Sequence, residues 1–289
     1  MNEIAQLLIY GVVLGSVLTM GAIGVSMIFG ILRFAHFAHG DFMTLGAYIG
    51  LAFISAFGLS PWWALPSGMI GMAAVAVLID KVLYQRIRRT QPVILLISSF
   101  GMALVIRAAV QLIWGSDNQS YAQGIQFPWR LDILGGLRIK PDHVWIVLIA
   151  FALVVAVHLF LTRTKMGKAM RAMSDNMDLA LITGIPAERV ITWTWVIGGG
   201  LAAAAGVFLG IDTRLYPVMG WTALLPVFAA AILGGIGRPY GAIAGGMVIG
   251  IAMEMSTLVI PAAYKPAVAF AIMVVMLVFR PQGLFKGTL

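Results

Sequence analysis

Apolar residues in this chain come in long runs rather than in alternation. About nine such segments can be traced, at residues 4–31, 41–57, 62–80, 92–114, 142–161, 190–211, 221–236, 241–260 and 264–280. Turn formers punctuate them, among them Gly58, Pro61, Pro92, Pro141, Pro217, Pro239, Pro261 and Pro281. A run of about 17–25 apolar residues is long enough to cross the hydrocarbon layer as a helix. In lipid only helices and closed barrels satisfy their own backbone, and these runs are too long for barrel strands and lack a strict period of two. The pattern therefore predicts an all-α polytopic membrane protein with eight to nine transmembrane helices, in one transmembrane domain over residues 1–289.

The exception is a charged island at residues 162–189, lying between the fifth and sixth apolar runs. Its apolar residues recur at Met166, Ala169, Met170, Met173, Met177, Ala180 and Leu181, the spacing of one helical face. Lys165, Lys168, Arg171, Asp175 and Asp178 fall mostly off that stripe, and Gly184 and Pro186 stand where a helix ends. An amphipathic helix bound to the membrane surface has this layout. A Met- and Ala-lined face also suits a groove on a soluble partner, and that is the reading preferred here.

Composition sharpens the picture. The chain is 61% hydrophobic and only 10% charged, against roughly 25% charged in soluble domains, so lipid must solvate it. The net charge of +8 fits basic loops that set membrane orientation better than it fits nucleic acid. Arg33, Lys81, Arg86, Arg88, Arg89, Arg163, Lys165, Lys168, Arg171, Arg189, Arg238, Arg280 and Lys286 fall on one side; Arg130, Arg138, Lys140, Arg214 and Lys265 fall on the other, with Arg107 inside a span. The richer side is cytoplasmic by the positive-inside rule. The expectation is an N-terminus outside, a C-terminus inside, island 162–189 as a cytoplasmic loop, and loop 115–141 as an external one. In that external loop Tyr121, Phe127 and Trp129, with Trp114 just before it, suit a membrane–water boundary. The start Met1-Asn2-Glu3 lacks the basic residues of a signal peptide, so the first span is expected to be retained. Cysteine is absent, which excludes disulfides, thiol nucleophiles and cysteine metal sites.

Glycines at four-residue spacing, such as Gly11/Gly15, Gly46/Gly50 and Gly246/Gly250, point to closely packed helices. An internal repeat is also visible. MIFGILRFAHFAHGDF (residues 27–42) aligns with VFLGIDTRLYPVMGWT (residues 207–222), matching Gly30, Ile31 and Gly40 to Gly210, Ile211 and Gly220. In each copy a span ends in a short broken segment, and the copies run in opposite directions, a transporter habit.

Ionisable residues within apolar runs are costly and often functional. His36, His39 and Asp41, in the segment where a helix is expected to break after the first run, and Glu254, inside the eighth run, are the candidates for a translocation path. Interface placement, or capping by Asp41, is the plainer alternative. Arg107 is a possible partner for Glu254, and Asp212 and Arg214 read as a polar turn. The His pair has too little support to hold a metal. No G-x-x-x-x-G-K-[ST], H-E-x-x-H or G-x-S-x-G motif occurs, so no ATP hydrolysis or hydrolase chemistry is expected of this chain alone.

Three stretches make the chain resemble a family. RFAHFAHGDFMTLGAYIG (residues 33–50), TKMGKAMRAMSDNMDLALITGI (164–185) and AAAILGGIGRPYGAIAGG (229–246), followed by RPQGLF (280–285), resemble the permease subunits of bacterial ABC importers for branched-chain amino acids. The resemblance implies an inner-membrane permease that works by alternating access on leucine, isoleucine or valine. Its implied partners are a second related permease in a heterodimer, two ATP-binding subunits carrying ATP and Mg, and a periplasmic binding protein. This chain is expected to bind no cofactor. The resemblance also implies that Gly167, Lys168, Met170, Arg171, Met173, Met177, Ala180, Leu181 and Gly184 form the segment that couples to the ATPase. The strict Glu-Ala-Ala…Gly signature of importers is absent, with Ala180-Leu181-Ile182-Thr183-Gly184 in its place. An ion-coupled transporter or channel for small polar solutes is the alternative function, and urea or short amides are the alternative cargo.

Overall fold

The computed structural model describes residues 2–121, 128–131 and 137–287, without the side chains of Asn2, Arg130 and Leu131. Phe127 lies outside these residues. Twelve helices follow one another: α1 (Asn2–Leu32), α2 (His39–Phe57), α3 (Ala64–Ile79), α4 (Gln85–Ile87), α5 (Pro92–Trp114), α6 (Pro141–Arg163), α7 (Lys165–Asp175), α8 (Met177–Ile182), α9 (Ala187–Asp212), α10 (Met219–Gly234), α11 (Pro239–Met255) and α12 (Lys265–Phe279). A π-turn, Asp80–Tyr84, joins α3 to α4, so that one span runs Pro61–Ile87. Eight helical stretches are long and apolar enough to cross a membrane; α10, at 16 residues, is the short ninth. The chain is thus a multi-pass membrane protein. Its described strands form one antiparallel pair, β1 (Trp129–Leu131) with β2 (Leu137–Ile139), in the loop before α6.

The inward faces are built on glycine and alanine, because helices in lipid gain from close contact rather than from expelling water. α1 lies antiparallel on α11: a Cβ on Gly11 would stand 2.8 Å from Ile251 Cα, one on Gly15 3.1 Å from Met247 Cα, and one on Gly246 against Thr19. α3 and α9 make the corresponding pair, with Gly68 at Val207 and Gly199 at Ala76. Likewise α2 packs on α3 as α10 packs on α11, and α5 touches α2 as α12 touches α10. The first four spans and the last four therefore repeat each other upside down, and each half lends its first helix to the third helix of the other.

The symmetry axis falls where the repeat was read from the sequence. α1 ends at Leu32 and the chain turns back on Arg33, held at φ 57, a left-handed conformation that costs a non-glycine residue roughly 1–2 kcal/mol. The Arg33 guanidinium donates to the Ser174 carbonyl at 2.6 Å, tying this turn to α7. After six non-helical residues α2 begins deep in the bundle, with His39 filling the space beside Gly24. The second copy does the same between Asp212 and Met219. Gly40 and Gly220 meet face to face, and a Cβ on either would strike the other's carbonyl oxygen. Side chains and a neighbouring loop take up several of the backbone groups opened by the breaks. Phe37 N donates to Ser99 Oγ at 3.1 Å and Gly220 N to Thr44 Oγ1 at 3.0 Å, while Leu215 exchanges two hydrogen bonds with Gln119. Tyr121, expected at a membrane boundary, is instead buried against this second break, its hydroxyl donating to Ala47 O at 2.8 Å.

The basic segments gather at one end of the bundle. There Arg88 bonds both Asp80 and Glu188, and α7 sits beside the ends of α1 and α6. The Gly40–Gly220 contact gives a direct test. Gly220→Ala is expected to lower the thermal midpoint of the detergent-solubilised protein, at a cost of about 1–3 kcal/mol for an overpacked contact. Gly101→Ala, where a Cβ meets nothing within 4 Å, is expected to be neutral or stabilising by up to about 1 kcal/mol. Fluorescence-detected size exclusion after heating reads both.

Candidate functional site

Three polar features interrupt the apolar bundle. The first sits at the crossing of the two breaks. Asp41 lies in the first turn of α2, where the helix dipole favours a carboxylate. It accepts two hydrogen bonds from Arg107 of α5, Nε to Oδ1 and Nη2 to Oδ2, each 3.1 Å. Asp41 is fully buried, whereas 17% of the Arg107 side chain remains accessible. The guanidinium lies 4.7 Å from the centre of the Trp221 ring, in the first turn of α10. His36 and His39 are close by but face different partners. His36 Nε2 lies 3.1 Å from Tyr84 Oη, with its ring edge-on to Phe42 and Trp195. The two imidazoles stand 6.0 Å apart between ring centres. His36 thus stands just before α2 while His39 and Asp41 open it, all three buried within the bundle.

The second feature is a cavity of about 700 Å³ near the N-terminal half of α1, bounded also by the α9–α10 break, α11 and α12. Glu254 stands in its wall, apart from the other three path candidates. Its carboxylate oxygens each lie 2.7 Å from Lys265 Nζ. The partner suggested from the sequence, Arg107, is committed to Asp41 instead. Asp212 also lines the cavity and bonds His143 Nε2 at 2.8 Å. Val13, Leu14, Val17 and Pro226 make apolar walls between these ion pairs.

The third feature is the charged island, which folds as two helices rather than one. Thr164 Oγ1 caps α7 by accepting from Gly167 N at 2.9 Å, and Asn176 Oδ1 caps α8 by accepting from Leu179 N at 3.0 Å. Gly184, at φ 84, closes α8: its N–H bonds Leu181 O, and Ile185 N–H bonds Ala180 O. The Met stripe turns the opposite way from the expected one. Gly167, Met170, Met173 and Ala180 are buried and Met177 is half-buried; a Cβ on Gly167 would collide with Phe160 O. The reason is that the apolar face of α7 has a groove within its own chain, at the ends of α1, α6 and α9. What remains outside is Lys168, Arg171 and Gly184, together with Leu179, Leu181 and the 84% exposed Ile182 of α8.

The ion pairs of Asp41 and Glu254, and the triad of Asp80, Arg88 and Glu188, were not legible as partnerships. The sequence showed the charges themselves, not which of them meet.

Spans joined in inverted halves, broken helices meeting inside, and polar groups along the break define a polytopic membrane permease. The chain belongs to the family described as the permease component of the branched-chain amino acid transport system, which matches residues 7–277. It is 33% identical to the high-affinity branched-chain amino acid transport system permease protein LivH of Escherichia coli, over 96% of this chain and 94% of that one. It is 31% identical to BraD of Pseudomonas aeruginosa, with the same coverage of both, and 24% identical to LivM of Escherichia coli over 99% of this chain and 70% of LivM. The solved structure of PsaBC from Streptococcus pneumoniae in complex with Fab covers 98% of this chain and 93% of that one with a TM-score of 0.52 at 15% identity, a likeness of fold alone.

The burial of the island separates two variants. Met173→Asp places an unpaired charge in a buried site and is expected to reduce folded protein in membranes several-fold. Ile182→Asp, on the open side of α8, is expected to leave the yield and the size-exclusion profile unchanged.

Proposed function

We propose that this chain is the translocating, non-catalytic subunit of an ATP-driven importer of leucine, isoleucine and valine. Its implied companions are a second related permease, two ATP-binding subunits and a periplasmic binding protein. The relatives' names support the cargo. Similarity to both LivH and LivM supports pairing of two related permeases. With the basic end of the bundle in the cytoplasm, the N-terminus and the Glu254 cavity lie outside and the C-terminus inside.

The observation that carries the coupling role is the rigid mounting of α7 and α8. Two side-chain caps, the Gly184 turn and the Arg33–Ser174 bond fix this segment to the bundle, while α8 holds Leu179, Leu181 and Ile182 exposed. An exposed apolar tip on a stiff mount suits a groove on an ATPase whose closure must move the spans. The buried Met face transmits that movement to α1, α6 and α9. ATP and Mg belong to the ATPase subunits, and the reaction asks nothing of this chain beyond a change in which side its path opens to.

The test is uptake by proteoliposomes containing both permeases and the ATPase subunits, with binding protein supplied outside. Leucine uptake is expected to require ATP, and Ile182→Asp to reduce it at least tenfold while leaving membrane insertion intact. Uptake that ignores ATP and follows an ion gradient would establish the ion-coupled reading instead. Competition by urea or amides but not by leucine would reassign the cargo.

A further inference from the structure

A cation in the middle of a span has two stable settings: sealed inside protein, or facing water. Arg107 is in neither setting completely. Its Nε and Nη2 are spent on Asp41, its guanidinium carbon stands 4.7 Å from the centre of the Trp221 ring, and 17% of the side chain stays accessible. Among the described residues Nη1 has no hydrogen-bond partner. A guanidinium carries five N–H donors, so an unmatched edge remains. The adjoining surface is aromatic. Phe100 stands 43% exposed with its ring edge-on to Trp221, 5.8 Å between centres, and Phe37 packs on Phe228 at 5.5 Å. Bare hydrocarbon would leave that N–H edge unsatisfied at a cost of several kcal/mol, so this edge calls for water or a polar group against it.

The position is equally particular. With Gly40 matched to Gly220, Asp41 of the first repeat matches Trp221 of the second. One arginine therefore spans the symmetry axis, gripping a carboxylate in one half and an indole in the other. Asp41 neutralises the charge, so that a visiting anion meets a strong donor without a deep electrostatic trap. Transport requires such balance, because a cargo held too tightly is not released.

We infer that the open edge of Arg107 is a carboxylate station on the translocation path, receiving the α-carboxylate of the amino acid while Trp221 and Phe100 border its branched side chain. This rests on the cargo proposed above and adds where and how that cargo is read. It also supplies a basis for rejecting amides and urea, which lack the carboxylate.

The experiment compares leucine with leucinamide in the reconstituted complex, using uptake driven by ATP. The double variant Asp41→Asn/Arg107→Gln replaces the ion pair by a neutral pair of similar shape and leaves no buried charge alone. The expected result is a fall of at least tenfold in leucine kcat/KM with little change for leucinamide, so that the wild-type preference for leucine disappears. Equal losses for both compounds, or a retained preference, would overturn the inference and make Arg107 a staple only. If the double variant does not assemble, Arg107→Lys decides: it keeps the charge but removes the planar edge. It is then expected to raise KM for leucine about tenfold and leave that for leucinamide unchanged; parallel changes would again overturn the inference. A wild-type complex that takes up no leucine refutes the cargo itself along with the station. Wild-type leucine uptake combined with an unaltered ratio in the variants refutes the station alone.

Discussion

A helix broken inside a membrane is stable only where protein covers the backbone groups that the break exposes. That constraint organises this molecule. The two breaks cover each other, through the contact of Gly40 with Gly220, and the N–H groups of Phe37, Gly220 and Leu215 go to Ser99, Thr44 and Gln119. The elements that supply these partners, α2, α5 and the segment after α5, are thereby fixed around one point. The Asp41–Arg107 pair forms at the same point, because the start of α2 brings a dipole and a carboxylate together there. Removing one partner of such a pair strands a charge, typically at a cost of about 3–5 kcal/mol.

Function draws on the same arrangement. A permease must hold polar groups at membrane depth without collapsing around them. Here the polar residues gather at the breaks, and glycine-rich contacts join α1 to α11 and α9 to α3. The island between α6 and α9 is attached to the bundle by its buried Met face. In the coupling role proposed for it, a push on α8 would reach the ends of three spans at once.

Much of the architecture could be read from the chain, because lipid leaves few choices. Apolar run length located every span, and the Gly30/Gly40 match to Gly210/Gly220 anticipated an inverted repeat whose axis lies between two of those glycines. Side-chain direction was less legible. The stripe of Met166 to Leu181 announced an amphipathic helix, but period alone does not say which surface receives it, and the receiving surface proved to be the ends of α1, α6 and α9. Asn176 also divided that helix, since its side chain caps a new turn more readily than it continues the old one. Partners of isolated charges were the least legible: Arg107 and Asp41 are 66 positions apart, and only the fold brings them together.

The exchange of first helices between the halves bears on how the protein is made. α1 finds its seat on α11, with Gly11 against Ile251 and Gly15 against Met247. At ribosomal speeds of about 5–20 residues per second, that seat emerges on the order of ten to fifty seconds after α1 itself. Throughout that interval the nascent first span waits in the bilayer with its glycine face bare. Membrane assembly must therefore shelter an unfinished half until the second arrives, and neither half is a self-sufficient folding unit.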